Sequence, residues 1–127
     1  MKDYFKLAKT GEWQTDDKKI LELKDRYGDR VAHYLAKFNK NWSTNDTYVL
    51  KLKDQYGRTV AHCLAMHNEN WNTNDTKILE LEDENGFRVA HDLAQYNKNW
   101  TTNDPEILEL EDIYGKTVQD ILERRRK

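Results

Sequence analysis

The side chains that could do chemistry return at a fixed interval. His33, His62 and His91 are each 29 residues apart, and Cys63, the only cysteine, follows His62. Imidazole can ligate a metal or move a proton, and an imidazole beside a thiol suggests an activated nucleophile. Geometry argues against both uses. Packed helices hold equivalent side chains about 8–10 Å apart, too far to share one metal at about 2 Å from each nitrogen. Neighbouring residues on a helix diverge by about 100°, so His62 does not face the Cys63 thiol. Tyr34, Asp92 and Ile121 hold the place of Cys63 in the other copies, and Ser43, the only serine, also stands in a variable position. No phosphate-binding glycine loop occurs. The expectation is therefore no catalytic set, no metal and no cofactor. Each histidine instead hydrogen-bonds backbone around a turn and ties neighbouring units together.

What positions these histidines is a repeat. Trp13, Trp42, Trp71 and Trp100 share the 29-residue spacing, as do Gly28, Gly57, Gly86 and Gly115. Residues 28–56 and 57–85 are identical at 16 of 29 positions. Chance does not produce such agreement, and a period of this size signals stacked units. Full units span 28–56, 57–85 and 86–114, between a degenerate unit at 1–27 and a truncated one at 115–127, all within a single domain, 1–127. Each unit opens on Asp-x-x-Gly, as in Asp54 to Gly57, where Asp closes a turn on its own backbone and Gly accepts positive φ. A short helix follows from Thr59 to Ala65, with Val60, Ala61, Leu64 and Ala65 on one face. It stops near Asn68-Glu69-Asn70. Asp75 then caps a second helix, Thr76 to Leu81, and Asp104-Pro105-Glu106 is the same start in the next unit. Helices of roughly 7–11 residues are marginal alone, so stacking must stabilise them. The tryptophans are expected to plug the gaps between units, each N–H finding a partner. Asn41, Asn70 and Asn99, with Asn45, Asn74 and Asn103, read as turn and capping residues.

Composition agrees with a thin core. Apolar residues are 37 %, charged residues 35 %, and mean hydropathy is −1.07. Those values alone lean toward disorder, but stacked units need to bury only a stripe each. A net charge of −2 gives no bulk attraction to nucleic acid or an anionic membrane. A lone cysteine permits no internal disulfide, and Met1 to Leu7 lacks the apolar run of a signal peptide. A cytoplasmic location is expected, and the sequons at Asn41, Asn45, Asn74 and Asn99 read as by-products of the repeat.

Gly57-x-Thr59-x-x-His62-x-x-Ala65, preceded by Asp54, resembles the ankyrin repeat, and Asp112 to Thr117 repeats its turn. The likeness covers nearly the whole chain. It departs from the family in a 29-residue period where ankyrin has 33, in Val60 standing for the signature proline, and in the added tryptophans. The shortfall lies between the second helix and the next turn, so the long hairpin finger should be trimmed. A leucine-rich variant repeat is the runner-up, on the pattern from Val31-Ala32 through Leu52. The resemblance implies an all-α solenoid of helix-turn-helix repeats with terminal caps, histidines that link units, and a binding surface made of turn tips and the open face of the first helix.

On that surface the variable positions are the candidates for recognition. The tips carry Tyr27, Tyr56, Phe87, Ile113 and Tyr114, with Arg58 beside them. The open helix face carries Tyr34, Lys37 and Phe38, then Cys63, Met66 and His67, then Asp92, Gln95 and Tyr96. Aromatic residues of this type are enriched at interface hot spots. Residues 58–86 and 87–115 each hold two basic and six acidic side chains, against five basic and three acidic in 29–57, which suits a partner with a basic surface. The expected function is therefore a monomeric, non-enzymatic module that binds another protein, as inhibitor or adaptor. By analogy alone, small solitary repeat proteins of this kind suit a bacterial or phage setting. Nucleic-acid association through Arg124, Arg125, Arg126 and Lys127, or a structural homo-oligomer, are the alternatives. No membrane partner is expected.

Overall fold

The structure is a computed structural model, and it describes residues 3–125. Among these the chain is all-α. Its helices are α1 (Tyr4–Lys9), α2 (Lys18–Leu21), α3 (Val31–Phe38), α4 (Thr47–Leu50), α5 (Val60–His67), α6 (Thr76–Leu79), α7 (Val89–Tyr96), α8 (Pro105–Leu108) and α9 (Val118–Arg125). No strand occurs among the described residues. Single antiparallel bridges, such as Lys53 with Thr59, close each turn. The longer helices pack in sequence order, α1 on α3, α3 on α5, α5 on α7 and α7 on α9. Each short helix packs on the long one that follows it.

Local chemistry sets these boundaries. The Thr59 hydroxyl accepts from the His62 N–H at 3.2 Å, and the Thr59 N–H donates to His62 Nδ1, also at 3.2 Å, so α5 starts on a reciprocal cap. It ends where Asn68 turns extended, at φ −124°. Asp17, Asp46, Asp75 and Asp104 cap the short helices with their carboxylates. These helices have four residues, not the roughly 7–11 anticipated, and α6 stops at Leu79 and not Leu81. The reason is that the Leu81 carbonyl accepts from the Val89 N–H at 3.1 Å across the next turn. Leu23–Val31, Leu52–Val60 and Leu110–Val118 make the same bond, and each draws its leucine out of helical register.

The core is one stripe. Val31, Val60, Val89 and Val118 are fully buried, with Leu35, Leu64 and Leu93 beside them. Each such side chain contributes about 1.5–3 kcal/mol. Small residues at Ala32, Ala61 and Ala90 let the long helices approach closely. Polar side chains then stitch one unit to the last. The Trp42, Trp71 and Trp100 indole N–H groups donate to the carbonyls of Thr15, Thr44 and Thr73 at 3.0–3.1 Å. Asn39, Asn68 and Asn97, all buried, donate through Nδ2 to the carbonyls of Trp13, Trp42 and Trp71 at 2.9–3.2 Å. The same asparagines accept through Oδ1 from the N–H groups of Asn41, Asn70 and Asn99.

Asn68 thus satisfies buried backbone in two units at once, whereas the side chain of exposed Asn70 takes no part in that link. Asn68→Ala should lower the unfolding free energy by about 2–4 kcal/mol, since it strands a buried carbonyl and an N–H. Asn70→Ala should cost under about 0.5 kcal/mol. Urea titration followed by circular dichroism checks both, and equal losses would contradict the stitching role.

Candidate functional site

The turn tips are held by carboxylates and glycines. Asp54 Oδ1 accepts from the N–H groups of Tyr56 and Arg58 at 2.9 and 3.0 Å, and Asp25, Asp83 and Asp112 do the same in their own turns. Successive tips touch. The Glu84 N–H donates to the Tyr56 carbonyl at 3.2 Å. Gly86 has φ +80°, and a Cβ there would lie 2.1 Å from Ile113 Cγ2, so this position admits glycine alone without rearrangement.

The histidines link these tips. Nε2 of His33, His62 and His91 lies 2.9–3.0 Å from the carbonyls of Arg58, Phe87 and Leu110. For His62 and His91, Nδ1 accepts from the backbone N–H of Thr59 and Arg88, which leaves the proton on Nε2. Burial pushes all three imidazoles below their usual range. Neutral, fully buried imidazoles in this geometry are structural links, and no group of three or more metal-ligating side chains gathers among the described residues.

The recognition candidates fall into two groups. Tyr27 and Tyr56 are each 55 % exposed, Ile113 58 % and Tyr114 74 %, a large apolar area to leave in water. Phe87 is half-buried and packs its ring 6.1 Å from that of Tyr114. Glu84 and Asn85 form the third tip. On the helix face, Phe38, His67 and Tyr96 are exposed, and Arg58 is half-buried. Tyr34 is committed inward: its hydroxyl donates to Asp25 Oδ2 at 2.6 Å, and its ring stands edge-on to Phe5 and Phe38. Cys63 does not belong to the open face. It is 1 % exposed and belongs to the buried core. Burial pushes its thiol up to about 12, so it is inert as a nucleophile at neutral pH.

A cleft of about 550 Å³ opens where the last two tips meet α9. Phe87, Tyr114 and Ile121 line it together with Gln95, Lys116 and Arg124. The sequence points to Phe87 and Tyr114 as tips and to Arg124 as part of a basic run, but gives no sign that Lys116 and Arg124 share a cleft with them. Arg125, also at the cleft, is turned to the protein itself: its guanidinium donates to the carbonyls of Ala94, Asn97 and Trp100 at 2.6–3.1 Å. Arg126 and Lys127, named with it above, lie outside the described residues. No described helix is long and apolar enough to cross a membrane.

Asp92 is the misfit of the helix face. Burial, aided by the negative charge of Asp83 and opposed by Arg58, pushes its carboxyl up to about 7. A raised folded value means that the contribution is present in acid, below the ordinary carboxylate range, and is lost as pH rises through about 7. Asp92→Asn should therefore raise the thermal midpoint at pH 8 and leave it nearly unchanged at pH 4. A gain of equal size at both pH values would show that charge burial is not the cause. No family model matches the sequence and no curated protein does, so the functional reading rests on the geometry of this surface.

Proposed function

We propose that the chain is a protein-binding module, a capped solenoid of ankyrin-like repeats that acts as an inhibitor or adaptor by covering a site on another protein. The repeat reading is supported by the Asp-x-x-Gly turn, the threonine cap at Thr59, and the imidazoles of His33 and His62, which reach the carbonyls of Arg58 and Phe87 beyond the following turn. The binding reading rests on one observation. Tyr27, Tyr56, Ile113 and Tyr114 stay exposed in a molecule that buries Trp42, Trp71 and Trp100 and the valines Val31, Val60, Val89 and Val118. None of the four side chains takes part in the hydrogen bonds that join units, and all four remain more than half exposed. Rigid tips presenting tyrosine to water suit a partner surface, since two-torsion aromatic rings lose little entropy on docking.

The test is a pull-down from lysate of the source cells, with the wild type beside a variant in which Tyr27, Tyr56, Phe87 and Tyr114 are all changed to Ala. Circular dichroism must first show the variant folded. One stoichiometric protein should be retained by the wild type and lost with the variant. Affinity for that protein should fall by more than about 30-fold, as removing even one interface hot spot of about 2 kcal/mol does. Retention by both would move the contact off the tips. No specific protein with either would sink the reading.

A further inference from the structure

We infer that the cleft between Phe87, Tyr114 and α9 receives a partner segment that carries a bulky apolar side chain next to a carboxylate. This rests on the protein-binding reading and narrows it to one pocket and one chemistry. The floor is apolar, built from Phe87, Tyr114 and Ile121. A volume of about 550 Å³ falls in the range that takes a large side chain and its neighbours.

The rim decides the charge of the occupant. Two carboxylates reach the cleft, Asp112 and Asp120, and both are already used. Asp112 Oδ1 accepts from the N–H groups of Tyr114 and Lys116 at 2.9 and 3.0 Å. Asp120 Oδ2 accepts from the Thr117 N–H at 3.1 Å, a bond that also keeps its carboxyl below the usual range. The charges of Arg124 and Lys116 also help to hold the Asp120 carboxyl low. Neither cation forms an ion pair among the described residues, and both stand exposed at the mouth, open to a further anion. An apolar floor beside two cations that form no ion pair is complementary to an apolar side chain flanked by an acid.

The surroundings sharpen this. Residues 58–86 and 87–115 each carry six acidic side chains against two basic ones. An acidic segment is repelled along that length and attracted at Lys116 and Arg124, so the charge pattern fixes where it docks. A uniformly basic segment would meet the reverse field and leave the two cations facing its own charges.

The experiment pans a random peptide library displayed on phage against the full chain. Lys116→Glu/Arg124→Glu is panned in parallel, after circular dichroism shows it folded. The best peptides are then titrated by fluorescence anisotropy against both proteins and against Tyr114→Ser. Wild type should retain peptides that pair Phe, Trp, Leu or Ile with Asp or Glu. Their affinity should fall by about 10-fold or more with either variant, the scale of a lost charge pair or apolar anchor, and should weaken as salt rises. The charge-reversed protein should select Lys or Arg beside the apolar residue instead, a switch that mere loss of folding cannot produce. Basic peptides retained by the wild type would overturn the inference. So would peptides whose affinity ignores both variants, although these would leave the broader protein-binding reading intact. No retained peptide would also overturn it, while the pull-down above tests that reading separately.

Discussion

The structure depends on side chains that hydrogen-bond sideways to the backbone of a neighbouring unit. Helices of four and eight residues have too few turns to be stable alone in water. Burying a stripe of Val, Ala and Leu between them supplies the driving force, but it also brings the loop that joins each helix pair out of water. Unpaired carbonyls in such a loop would each cost about 1–3 kcal/mol. Trp71 Nε1 on the Thr44 carbonyl and Asn68 Nδ2 on the Trp42 carbonyl remove that cost. Apolar contact and polar satisfaction are thus supplied by the same recurring positions, and neither would suffice without the other.

The asparagine series changes residue at α9. Asn39, Asn68 and Asn97 bond the carbonyls of Trp13, Trp42 and Trp71, which leaves the carbonyl of Trp100. Arg125 takes it at 2.8 Å. The longer side chain reaches from the end of α9, where the next asparagine would stand almost in register, and its fork also holds the carbonyls of Ala94 and Asn97. Lying near the C-terminus of its own helix, the guanidinium also sits where a cation is favoured. The arginine therefore does for Trp100 what the asparagines do for the earlier tryptophans.

Much of this was legible in the sequence, and the gaps have physical reasons. The period, the Asp-x-x-Gly turns, the aspartate caps and the apolar face at Val60, Ala61, Leu64 and Ala65 rest on local rules of turn chemistry and helical spacing. The reach of the histidines and tryptophans across units also followed from their recurrence. What failed was anything decided by the next unit. Asn68 looked like the residue that ends a helix, and only its neighbour reveals it as a buried link. Leu81 fits a helix until Val89 pairs with it. Cys63 occupies a variable column and so resembled surface, yet it lies in the buried core. Arg125 read as one charge in a run because its targets lie 25–31 residues away.

These same facts explain how the surface can vary. The recurring stitches from tryptophan, asparagine and histidine end on backbone carbonyls, so the unit that receives them may have almost any side chain there. The tips are fixed by Asp and Gly, and the residues between them are constrained only to leave the turn intact. Arg26, Gln55, Glu84 and Ile113 therefore occupy equivalent places with different chemistry, and Lys116 replaces Phe87 in the next unit without disturbing the turn bonds. Stability is held in one set of columns and surface character in another. That separation lets an acidic flank, two tyrosine tips and a cation-rimmed apolar cleft coexist on a core whose recurring residues hardly change. It also locates the exception: Asp92 stands in a column that is half interior, beside Cys63 and Ile121, and there alone does a change of surface chemistry reach into the balance of the fold.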